Sequence, residues 1–193
     1  MYNVKKLVKD SILVALICVY LLIIISTGLV LYSTVTVFAA SILLALYYKD
    51  KSITRCGVAC VAVLVISLMY FDLLTQIIPF ILPSIILGFV SSLLLRLTNK
   101  KIMYPILFVI YYIVEIGAVV LEARLVVGID LLDYILDDSF NEVASYINNS
   151  ISIFVVMYFI VLLAIAIMKV IILNMSEKIY INKFKKFIDK YEN

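Results

Sequence analysis

With 66% hydrophobic and 15% charged residues over 193 positions, and a mean hydropathy of +1.20, this chain cannot cover a soluble core with polar surface. It must use lipid as its solvent, where spans of about 20 apolar residues are expected. The formal net charge is only +3, and the absence of histidine excludes Ser-His and Cys-His catalysis and HExxH zinc sites.

The first apolar run, 11–48, is too long for one span and divides into 11–28 and 33–48 around a small-polar turn at 28–33. Lysines precede it as in a signal peptide, but it is too long for a signal core and lacks an A-x-A site, so it reads as a retained first span. The next run divides into spans 55–71 and 77–97, with Asp72, Thr75, Gln76 and Pro79 marking a loop at the membrane surface. Span 102–122 follows, and then an outer amphipathic segment, 129–148. There Leu132, Ile135, Leu136, Phe140 and Val143 recur at helical spacing, opposite a face of acids. Span 150–173 is the sixth. A basic tail, 174–193, carries an apolar stripe suited to anionic lipid head groups. The fold class expected is all-α: one polytopic membrane domain, 1–193, with six transmembrane helices.

The basic residues orient it. Lys5, Lys6 and Lys9, then Lys49, Lys51 and Arg55, then Arg96, Lys100 and Lys101, then the lysines of the tail all fall on one side of a six-span bundle. The other side carries Arg124 and most of the acids. Positive-inside bias then puts both termini in the cytoplasm. It also accounts for the lysines, so no nucleic-acid partner is expected.

Helices in lipid associate where small residues permit close approach. Ser84, Gly88 and Ser92 form such a face on span four, and Ser11 with Ala15 a shorter one on span one. Cys56 and Cys60 lie four apart on one face; without histidine they read as small packing residues, not metal ligands. No metal, cofactor or enzymatic role is expected, since any catalysis would have to run on carboxylates, lysine or tyrosine alone.

The functional clue is YYIVEIGAVVLEAR, 111–124. Glu115 falls just beyond the membrane midplane in the outer half of span five. Glu122 lies two turns further out at the interface. Tyr111 and Tyr112 belong to the same stripe, as do Ala118 and Val119. An acid at such depth costs roughly 2.5 kcal/mol or more, so it faces protein or a wet cavity. Either the stripe Glu115, Tyr111, Tyr112 and Glu122 contacts a small-molecule substrate or relays cations, or Glu115 is a neutral, hydrogen-bonded core residue. Lys169 reads as an anchor that snorkels from the cytoplasmic end of span six.

The layout, together with the stretch 44–97 (a basic turn, an apolar span, then a glycine-containing helix ending in a basic residue), resembles the S-components of energy-coupling-factor vitamin transporters. It is similar too to uncharacterised S-component-like proteins of Gram-positive bacteria and to the membrane subunit of the bacterial cell-shape complex. The lysine-, isoleucine- and asparagine-rich usage fits a low-GC bacterium. The S-component resemblance implies an outward-opening pocket with Glu115 and the tyrosine stripe as candidates. It also implies a transmembrane coupling subunit and ATPases as partners. That family often meets its coupling subunit through an alanine-xxx-alanine face on span one, where this chain has Ser11 and Ala15. The alternative is a non-transporting scaffold that works through helix–helix contacts with another membrane protein. A channel would need oligomerisation to build a ring of charge.

Overall fold

The computed structural model describes residues 4–27, 37–97, 99–130 and 151–181. The expected turn at 28–33, nearly all of the outer amphipathic segment and the tail from residue 182 lie outside the described residues. What is described is helical throughout, in the order α1 (Val4–Ser26), α2 (Phe38–Tyr48), α3 (Ile53–Tyr70), a π-helical stretch (Leu73–Ile81) running directly into α4 (Leu82–Leu94), α5 (Lys100–Glu122) with a π turn at its end (Ala123–Val127), and α6 (Ile151–Ile179). Five helical segments are long and apolar enough to cross a membrane: Lys6–Ser26, Ile53–Tyr70, Gln76–Leu94, Lys100–Leu125 and Val155–Ile179. The second expected span is described only as the 11 residues of α2.

Short polar connections set the helix starts. Ser52 caps α3 by accepting from the Arg55 amide at 3.4 Å, and Asn99 caps α5 by accepting from the Lys101 amide at 3.1 Å. Each side chain satisfies an amide that the first helical turn leaves without a partner.

The stretch expected as a surface loop is instead helical. Its wide π turns start at Asp72, whose carbonyl accepts from the amides of both Gln76 (3.2 Å) and Ile77 (3.0 Å), while the Asp72 amide donates to Gln76 Oε1 at 3.1 Å. Pro79 lacks an N–H and crowds the carbonyl four residues back, which an α-helix cannot absorb without disruption. A wider turn relieves that crowding and lets the helix continue into α4. Polar residues read in sequence as a break therefore serve as the cap of a longer helix.

Two apolar cores share α2. On one side Val14, Ile17 and Leu21 of α1 pack with Val37, Leu44, Cys60 and Val63. On the other, Ala45 and Phe38 of α2 pack with Leu87, Leu107, Tyr111, Ala166 and Leu173. The tightest helix crossing is α2 on α4. A Cβ at Gly88 would lie 3.0 Å from Leu44 Cβ and 3.1 Å from Ser41 Cα. Beside it Ser41 Oγ donates to the Ser84 carbonyl at 2.7 Å, Ser84 Oγ donates to the Val37 carbonyl at 2.8 Å, and Cys56 Sγ meets Ser92 Oγ at 3.3 Å. Glycine and small hydroxyls let two backbones meet without leaving polar atoms unsatisfied.

Ser11 and Ala15 do not join an internal packing face. The buried register of α1 runs through Val14, Ile17 and Leu21, which turns Ser11 and Ala15 outward. Large apolar side chains also face outward along the helices, among them Val19, Ile23, Val61, Ile113 and Ile171. Such coverage would be a liability in water and is the expected surface in lipid.

One end of the bundle is tied by charge. Arg55 grips Asp10 through two parallel bonds of 2.9 and 2.8 Å, which joins α3 to α1. Glu177 of α6 accepts from Lys49 after α2 at 3.3 Å and from Lys100 of α5 at 3.1 Å. Arg96 Nη2 donates to the Tyr48 carbonyl at 3.0 Å. The described basic residues of the connections thus gather at this end. Among the charged groups of the other end are Arg124 and Asp130, paired in solvent at 3.6 Å.

Candidate functional site

Glu115 on α5 and Lys169 on α6 form a buried ion pair, and each residue is only 3% exposed. Helix geometry explains why they meet. The antiparallel helices α5 and α6 are registered by Tyr104, whose hydroxyl donates to Asn174 Oδ1 at 2.6 Å. From that level Glu115 lies 11 residues along α5 and Lys169 lies 5 residues back along α6, or about 17 and 8 Å of rise. Side chains lean toward the N-terminus of their own helix. Glu115 therefore leans toward the basic end of the bundle and Lys169 toward the opposite end, and together they span the remaining ~9 Å.

Lys169 is thus not a snorkelling anchor. Its helix continues to Ile179, so residue 169 sits well inside the bundle, and Glu177 takes the place at the charged end. Two oppositely charged residues deep in apolar runs are expected to find each other. That signal is present in the sequence, but seeing it requires the α5–α6 register.

The pair sits on the wall of a cleft between α2, the start of α4, α5 and α6. Phe38, Ser41, Pro79, Ser84 and Ala118 line it as well. The cleft holds about 310 Å³ of empty space including its open mouth, while its interior admits no more than a water or two. Lys169 Nζ stands 5.3 Å from the centroid of the Phe38 ring, a cation–π approach in addition to the carboxylate.

The other residues of the expected stripe have separate places. Tyr111 is fully buried behind the cleft, with its hydroxyl 2.6 Å from Ser91 Oγ and its ring edge-on to Phe38 at 5.5 Å. It braces the aromatic wall and its polar atom is directed at α4. Tyr112 stacks on Phe108 at 6.4 Å, away from the cleft lining. Glu122 lies further along α5 and is half-buried, again outside the lining. The structure therefore joins Glu115 to Lys169, Ser41, Ser84 and Phe38 and leaves the tyrosines behind or beside it. Ser41 and Ser84 enter through the α2–α4 crossing; their spacing announces packing, and the lining role follows from the fold alone.

Comparison with protein-family models, with curated proteins and with solved structures finds no match. The chemistry of the site must accordingly be read from its own residues.

That chemistry is charge-balanced and narrow. One carboxylate and one ammonium neutralise each other where either alone would be costly. Among the described residues no group of three metal-ligating side chains converges. The site has the makings of a binding or relay centre: an acid, a base, two hydroxyls and an aromatic face at one opening.

Proposed function

We propose that this chain is a membrane-embedded binding subunit that admits a small polar molecule into the bundle from the end opposite its basic cluster. With both termini cytoplasmic, as positive-inside bias requires, that opening faces outward. This is the arrangement implied by the S-component resemblance, in which a transmembrane coupling subunit and ATPases complete the transporter. The outward face of α1 at Ser11 and Ala15 is then free for the coupling subunit. The observation that carries the reading is that the Glu115–Lys169 pair, though buried, lines a cleft with Ser41 and Ser84 that opens to the surface.

Two measurements test it. With Cys18, Cys56 and Cys60 replaced, Ala118→Cys should react with a membrane-impermeant maleimide added from outside. Protein extracted in native lipid discs should retain, or be stabilised by, a small polar metabolite from a broad panel. An unreactive Ala118→Cys together with an empty panel sinks the proposal. It would favour the scaffold reading, which draws on the fact that Glu115 and Lys169 already satisfy one another.

A further inference from the structure

We infer that the occupant of the cleft is a small zwitterion, a molecule carrying one ammonium and one anionic group. This rests on the binding reading above and specifies its ligand class.

The first ground is charge conservation in a dry site. Glu115 and Lys169 are each 3% exposed and each is the ion partner of the other. A ligand that enters between them must separate them. A ligand with one charge satisfies one residue and strands the other as an uncompensated buried ion, the arrangement that proteins tolerate least. A neutral polar ligand strands both. A zwitterion gives Glu115 an ammonium and Lys169 an anion, so the site stays neutral and each buried charge keeps a partner.

The second ground is the polarity of the walls. The Ser84 hydroxyl meets the Val37 carbonyl, the Ser41 hydroxyl meets the Ser84 carbonyl, and the two hydroxyls meet each other at 2.9 Å, so neither keeps a proton to spare for an anion. The Phe38 face already lies 5.3 Å from the Lys169 ammonium and helps to hold that cation in place when its carboxylate partner changes. Pro79 and Pro83 bring no N–H to the lining. Glu115 is thus the acceptor for an ammonium, while Lys169 supplies the donors for the anionic group. The interior as it stands holds a water or two, so a ligand gains its room by parting Glu115 from Lys169, and a short zwitterion asks for the least displacement.

The test uses the full chain in lipid discs, titrated calorimetrically and by thermal unfolding. The ligands are glycine, β-alanine and γ-aminobutyrate, set against acetate, methylammonium and acetamide. At least one of the three zwitterions should bind about a hundredfold or more tighter than each of the other compounds, the discrimination expected when a buried ion is left without its partner. E115Q/K169Q, which keeps hydrogen-bonding groups but no charges, should lose that preference. Should that variant fail to fold, Ala118→Phe fills the cleft, leaves the pair intact and should abolish binding. Acetate or methylammonium binding as tightly as the best zwitterion overturns the inference. So does zwitterion binding that survives both E115Q/K169Q and Ala118→Phe. A neutral metabolite that binds while every zwitterion fails overturns the ligand class and leaves the binding function standing. Failure of the entire metabolite panel overturns both.

Discussion

Removing one partner of the Glu115–Lys169 pair should be far more damaging than removing both. Lys169→Met leaves the Glu115 carboxylate buried with no cation beside it. Two unit charges about 4 Å apart attract by about 4 kcal/mol at the effective dielectric constant that describes protein sites, and measured losses for breaking buried pairs run about 3–5 kcal/mol. Glu115→Leu with Lys169→Met removes both charges and keeps much of the volume, so the double variant should lie within about 1 kcal/mol of wild type or above it. The coupling energy from the double-mutant cycle should therefore reach about 3 kcal/mol. Ordinary polar contacts between membrane helices average about 0.6 kcal/mol, so the two cases separate cleanly. The chain has no tryptophan, so unfolding in mixed micelles is best followed by far-ultraviolet circular dichroism. A coupling below about 1 kcal/mol would refute the pair as the electrostatic centre of the bundle.

Three further outcomes are expected. Gly88→Ala must push Leu44 or the α2 backbone aside and should cost about 1–3 kcal/mol, whereas Gly117→Ala, with nothing within 4 Å of its new Cβ, should be neutral or slightly stabilising in the same assay. Glu177→Ala strands Lys49, whose side chain is only 7% exposed, and should lower the melting temperature by several degrees; Lys100→Ala, from a side chain that is 53% exposed, should cost under about 1 kcal/mol. In a cysteine-free background, Lys51→Cys should be labelled by an impermeant maleimide only after permeabilisation and Ile129→Cys from outside, and the reverse pattern would overturn the orientation.

Helix placement was legible because apolar runs and charged breaks follow directly from the thickness of a bilayer. The Ser84–Gly88–Ser92 face was legible for the same kind of reason, since small residues at a period of four leave few alternatives to close packing. Glu115 stood out because a lone acid in lipid demands an explanation. Its partner did not, because Lys169 lies four residues from a span end drawn at 173, and only the extension of α6 to Ile179 places it at depth. The stretch after Asp72 was misjudged because polar residues and proline signal a break in α geometry, and a π-helix tolerates both. Tyr111 and Glu115 do share a face of α5, but a shared face does not say which neighbour each polar atom meets, and Tyr111 meets Ser91.

The α5–α6 clasp also has a consequence in time. Glu115 belongs to a helix that leaves the ribosome before α6, so it enters the membrane while its cation is still some fifty residues from being made. Until then α5 carries an insertion cost of roughly 2.5 kcal/mol or more, which the arrival of Lys169 cancels. α6 thus completes the pair, and a chain interrupted before it is left with an unmatched charge in the bilayer.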